Sequence, residues 1–422
     1  MKKQLAKVFL GEFVAKALQF VFEFMLVRML AQAELASWVV FSFVLRFSPY
    51  ASFGCLSYLN KFYPLQSEDV IAQAEIKEKV QQNIFVISVF FFIASFLFAF
   101  IFLTSSKSVH FDVAMSLFVM SLILQYTFFQ SLLRNKFEFE RYIAGLLFFC
   151  VAQLSAALIL YKYFSFYGIY YGILLAYILA ILYYWLTTKS KFTLALNQFY
   201  LDVIKSGLPP FLLTIVSFLF QSIDRVALII YSNEAFLASY AVFFIFYQLG
   251  LILVNTAGKV ISPFFLSQAD EKKADFIILG FFLLFTVLYF IFLCCFLLWG
   301  GYFLEFFLPN YAHLFQEIFI YLVIGYLVAY SQIYFNELVK RSKEILVVVL
   351  TISLSGVGLC VLSYTLFLRS NLNDFVEVSL VVNLVYCICI TILVGSAKNS
   401  SLKNIFIMCL FPTIATLSVL LL

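Results

Sequence analysis

The chain has 422 residues, 64% of them hydrophobic and only 12% charged, with a formal net charge of +5. Its mean hydropathy of +1.04 excludes a soluble globular domain and points to a protein built within a bilayer. The positive charge does not indicate nucleic acid as a partner, because the basic residues sit in loops between apolar runs.

Apolar runs bounded by polar breaks follow one another along the whole chain. The first half offers Val8–Leu30, Ser37–Leu59, Ile84–Leu103, Phe111–Leu133, Ile143–Tyr161 and Phe166–Thr187. The second offers Leu208–Ile230, Phe236–Gly258, Phe276–Trp299, Leu314–Phe335, Ile345–Phe367 and Phe375–Ser396. These are twelve expected spans, since about 20 apolar residues cross a bilayer as a helix. A last run, Asn404–Leu422, is long enough to make a thirteenth despite Pro412. The N-terminus is basic, but Glu12, Lys16 and Glu23 interrupt the run that follows and no small-residue cleavage site appears, so this is a first transmembrane helix rather than a signal peptide.

With the N-terminus in the cytoplasm, 19 Lys and Arg residues fall in inside segments and three, Lys107, Lys162 and Arg369, in outside loops. That asymmetry sets the orientation. The remaining five, Lys16, Arg28, Arg46, Arg225 and Lys259, lie within spans or at their edges. The eight cysteines all lie in apolar runs without CxxC spacing, as buried small residues do.

An internal duplication organises the chain. Leu35–Trp38 (LASW) is echoed by Leu237–Tyr240 (LASY) at an offset of 202 residues, each at the start of the second of two apolar runs of 23. Six spans separate an element from its echo, and six is even, so both halves enter the membrane in the same sense. The expected fold is an all-α polytopic membrane protein: two parallel six-helix lobes, 1–190 and 191–396, around a central cavity, with 397–422 as an extra C-terminal helix.

The charges inside the spans carry the functional reading. Glu12, Lys16, Gln19 and Glu23 recur at helical spacing and share one face of the first span. Thr214, Ser217, Gln221 and the pair Asp224–Arg225 make a second polar stripe in the seventh. Arg46 lies mid-span with no acid in its own run, where a lone cation costs about 2.5–3.5 kcal/mol and so faces protein or water. Either these cations meet an anionic substrate or they lock helices together as ion pairs. Arg28 and Lys259 sit near span ends, where snorkelling to the interface explains them.

Several of these residues also carry a resemblance. The double proline Pro209–Pro210, Asp224–Arg225, LASY followed by Pro263, Arg28-Met-Leu, and Asn60-Lys-Phe-Tyr-Pro64 are similar to motifs of Wzx-type polysaccharide flippases. Those flippases belong to the multidrug/oligosaccharidyl-lipid/polysaccharide exporter (MOP) superfamily. The resemblance covers roughly residues 8 to 396, with departures at Ala31, Ser37 and Ser239, where glycine is common.

It implies translocation of an undecaprenyl-pyrophosphate-linked oligosaccharide, an O-antigen or capsule repeat unit, between leaflets of a bacterial inner membrane. The implied partners are that substrate, membrane lipid, and the polymerase and chain-length proteins of the same pathway; no cofactor or metal is implied. Lys16, Arg46, Arg225, Gln19 and Gln221 are then the expected substrate-binding residues, and Glu23 and Asp224 the candidates for a coupling ion. A cation-coupled multidrug antiporter of the same superfamily is the first alternative. A membrane-embedded polysaccharide polymerase or ligase is the second, and it finds no substantial outer loop and no nucleophile or metal-ligand motif here.

Overall fold

The computed structural model describes residues 2–66, 69–105, 108–188, 199–231, 233–267, 271–340, 344–369 and 371–397, with Thr413 and Thr416. Among these all regular structure is helical. The helices are α1 (Lys2–Met29), α2 (Gln32–Phe47), α3 (Cys55–Leu65), α4 (Val70–Ser105), α5 (Ser108–Asn135), α6 (Phe139–Phe164) and α7 (Phe166–Thr188). They continue with α8 (Leu201–Gln221), α9 (Ile223–Tyr231), α10 (Glu234–Ser267), α11 (Glu271–Phe307), α12 (Phe315–Lys340), α13 (Glu344–Arg369) and α14 (Leu372–Ala397).

All twelve expected spans fall on these helices. Among the described residues ten helices are long and apolar enough to cross a membrane, eleven if the bent pair α2–α3 counts as one. Helix α1 is not among the ten, because Glu12, Lys16, Glu23 and Arg28 make it more charged than an ordinary span. The expected thirteenth span, Asn404–Leu422, and the expected lobe boundary at 190/191 lie outside the described residues.

Two spans that read as continuous are broken. Within Ser37–Leu59, α2 ends at Phe47, a 3-10 turn covers Ser48–Ser52, and α3 starts at Cys55 after a bend of 55°. Pro49 has no N–H to continue the helical ladder. Phe53 and Gly54 then take left-handed conformations, φ 47° and 91°. Glycine suits the second position, because a Cβ there would come 3.0 Å from the carbonyl carbon of Gly207 in α8.

The run Leu208–Ile230 is interrupted at Ser222, where the Ser222 N–H turns back to the Leu219 carbonyl at 3.2 Å. Pro209–Pro210 stands at the start of this apolar run but not of its helix. Both prolines lie inside α8, which begins eight residues earlier at Leu201. The repeat is therefore uneven: in the first half the second element is broken, in the second half the first.

Close packing divides the chain into two compact units, Met1–Phe22 with Ser37–Ile215, and Glu23–Ala36 with Val216–Leu422. The first is built on the hairpins α4–α5 and α6–α7 around Leu124, Phe128, Phe129, Phe149, Ala176 and Tyr184. Its α8 start is tied down by Asn83 on α4. The Asn83 amide donates to the Tyr200 carbonyl at 2.9 Å and accepts from the Tyr200 N–H at 2.8 Å. The second unit is built on α10, α12 and α14, with α13 packed on α9 and α14. Gly325 on α12 lets that helix approach the Tyr247 backbone of α10. Phe24, near the C-terminal end of α1, rests between Phe303 and Phe307 at ring separations of 6.0 and 5.9 Å.

Candidate functional site

In the second unit the charges gather at the start of α9. Asp224 is 6% exposed and Arg225 2%, a depth at which an ionised group needs partners. Asp224 has them. Its Oδ1 accepts the Arg225 backbone N–H at 2.8 Å, and its Oδ2 accepts the Tyr321 hydroxyl of α12 at 3.1 Å. Tyr240 of α10 also hydrogen-bonds this carboxylate, and the adjacent guanidinium charge attracts it. The guanidinium lies 3.8 Å from the ring centre of Phe244 and 5.5 Å from that of Tyr240, a desolvated cation–π arrangement. Asp224 occupies the first turn of α9, where the positive end of the helix dipole favours an anion.

The first unit holds a second sealed carboxylate. Glu12 on α1 is 0% exposed, and the Tyr142 hydroxyl of α6 donates to its Oε1. The Tyr184 hydroxyl of α7 donates to the Tyr142 carbonyl at 3.1 Å, so three helices converge on one acid. One turn along, Lys16 is half-buried and its Nζ donates to Gln19 Oε1 at 2.8 Å. Arg46 is half-buried too, in the last turn of α2 beside the break, where the negative end of the helix dipole favours a cation.

The expected residues thus separate by environment. Asp224 and Arg225 come together and are sealed in, as Glu12 is, while Lys16, Gln19, Glu23, Arg46 and Gln221 are half-buried. Arg28 is exposed near the end of α1, and the side chain of Lys259 lies outside the described residues. Sequence reasoning passed over Tyr142, Tyr240, Phe244 and Tyr321, because tyrosine and phenylalanine are so abundant here that no single ring stands out. The available signal was Tyr240 itself, the last residue of the repeated LASY segment.

No protein-family model matches the chain, and no curated protein matches it either. Solved structures do. The fold is that of MATE transporters of the MOP superfamily. An outward-facing multidrug resistance MATE family transporter of that superfamily is similar to this chain with a TM-score of 0.70 and 15% identity, over 94% of this chain and 96% of that one. An inward-facing one gives 0.68 and 14%, over 94% and 99%. A MATE in the bent conformation gives 0.63 and 15%, over 94% and 96%.

Proposed function

We propose that this chain is a transporter that moves an undecaprenyl-pyrophosphate-linked oligosaccharide from the cytoplasmic to the outer leaflet of a bacterial inner membrane by alternating access. The observation that carries this reading lies in the first unit, where Glu12, which would attract a cationic solute, is sealed against Tyr142, whereas Lys16 and Arg46 are half-buried. Such a site suits a large anionic headgroup, which cannot cross hydrocarbon unaided. Arg46 offers a planar fork of donors for a pyrophosphate, and Lys16 with Gln19 a point charge and an amide for phosphate and sugar hydroxyls. Arg225, its guanidinium packed on the Phe244 and Tyr240 rings, keeps the second unit in shape rather than meeting substrate. Of the two acids considered for ion coupling, Glu23 is the more accessible.

The comparisons favour a second reading, a cation-coupled exporter of small compounds, because the similar solved structures include multidrug resistance transporters. At 15% identity the likeness is one of fold, which both readings share. Deletion of the gene separates them. The flippase reading expects lipid-linked repeat units to accumulate on the cytoplasmic leaflet with no change in drug sensitivity; the antiporter reading expects the reverse.

A further inference from the structure

We propose that the inner ends of α3, α4 and α5 bind the phosphate of an anionic phospholipid, with Lys77 and Lys136 supplying the charge and Phe137 anchoring the turn at the membrane surface. Helices α4 and α5 form an antiparallel hairpin, and the Gln125 amide of α5 donates to Ser88 Oγ of α4 at 3.1 Å, which fixes the register. Lys77 lies eleven residues before Ser88 (88 − 77), and Lys136 eleven after Gln125 (136 − 125), so the two stand level. Their ammonium groups act on each other electrostatically.

No carboxylate pairs with either lysine among the described residues, although Lys77 is half-buried. Of the nearby acids, Glu138 Oε2 binds Arg141 at 2.7 Å, and Glu78, which attracts Lys77 from a distance, accepts from Gln82 at 3.4 Å through its Oε1. Beside them Arg134 is held by a neutral group, its Nη2 donating to Asn60 Oδ1 at 3.2 Å, and Asn135 donates to the same oxygen at 3.1 Å. Like charges brought level, with the neighbouring arginine held only by a neutral amide, are completed by an anion.

The turn after Lys136 identifies the anion's carrier. Phe137 adopts a left-handed conformation, φ 57°, that bulky side chains avoid. Its N–H donates to the Arg134 carbonyl at 3.1 Å and the Glu138 N–H to the Leu133 carbonyl at 2.9 Å, which holds the ring 59% exposed beside Phe139. An exposed phenylalanine next to a lysine pairs an apolar and a basic side chain, as surfaces that sit at the headgroup boundary do. Lys77 sits seven residues, about 10 Å, before the apolar run that opens at Ile84, which is headgroup depth. The lysine and arginine bias assigns this end of the hairpin to the cytoplasmic leaflet. The proposal is independent of what the protein transports.

The test is binding of phosphatidylglycerol to the purified full chain in detergent, read by titration with native mass spectrometry and by melting temperature. The double variant K77Q/K136Q is expected to bind phosphatidylglycerol about 30-fold more weakly, roughly five-fold for each lysine. Phosphatidylcholine binding should be unchanged, and K77R/K136R should bind phosphatidylglycerol as the parent does. The control K162Q/K205Q, which removes the same charge from exposed positions on α6 and α8, should also retain it. If the double variant does not fold, the single variants carry the test with about five-fold losses each. Undiminished phosphatidylglycerol binding in K77Q/K136Q overturns the site. Equal protection of the parent by inorganic phosphate at the same concentration overturns the lipid as its occupant.

Discussion

The Tyr321 hydroxyl donates to Oδ2 of Asp224 at 3.1 Å, tying the first turn of α9 to the second turn of α12 in a part of the second unit where both residues are buried. A carboxylate at that depth depends on each donor it has. Tyr321→Phe removes one and should cost about 1–3 kcal/mol, lowering the melting temperature by several degrees without preventing insertion. A melting temperature unchanged within a degree would mean that Asp224 does not rely on Tyr321.

The Asp224–Arg225 pair makes a sharper prediction. Removing one member of a buried pair strands the other charge, at a cost of about 3–5 kcal/mol. Asp224→Ala and Arg225→Met should each destabilise the protein strongly. The double variant should be less destabilised than the sum of the two. Thermal unfolding of the three proteins in detergent decides it, and simple additivity would show that the two charges do not support one another.

At the bend between α2 and α3, Gly54 has φ 91° and packs against the Gly207 backbone of α8. Gly54→Ala must place a Cβ in a left-handed conformation and against that backbone, so folded yield should fall by a stability loss of about 1–2 kcal/mol or more. Gly301→Ala, where a Cβ meets nothing within 4 Å, should be nearly neutral. Equal yields for the two variants, measured by size-exclusion chromatography, would contradict the strained bend.

Orientation is open to direct assay. Reporter fusions after residues 75, 138 and 270 should read cytoplasmic and those after 107 and 305 periplasmic, as the lysine and arginine distribution requires. A periplasmic signal at 138 would invert the first unit and with it the leaflet of the proposed phospholipid site.

The helices were legible because each is announced by a long apolar run, and all twelve runs fall on helices. The breaks were less so. Pro49 and Gly54 do mark the bend in the second span, but they stand in an apolar stretch long enough to cross the bilayer unbroken, and hydropathy averages over them. At Ser222 no proline or glycine gives warning, and the interruption is set by tertiary contacts of Asp224 with α10 and α12. Pro209–Pro210, by contrast, is a visible helix breaker that α8 passes through intact.

For the candidate site, spacing alone collected Glu12, Lys16, Gln19 and Glu23 on one face of α1, yet their depths differ, from a sealed Glu12 to a half-buried Lys16. Periodicity reports the face of a helix; depth depends on partners remote in sequence, such as Tyr142, 130 residues from Glu12. The same holds for Arg225, which reads as an available cation in sequence and is sealed beneath Phe244 in the fold.

The most direct test of the proposed function uses proteoliposomes that carry a short-chain pyrophosphate-linked oligosaccharide, with outer-leaflet exposure read by a membrane-impermeant oxidant or lectin. The parent protein should equilibrate the lipid between leaflets. Arg46→Ala and Arg46→Glu should abolish this, and Arg46→Lys should retain part of it by keeping the charge without the planar fork. All three should insert at parental levels. Parental rates in Arg46→Ala, or no lipid movement by the parent protein together with gradient-driven uptake of a cationic dye, would contradict the account.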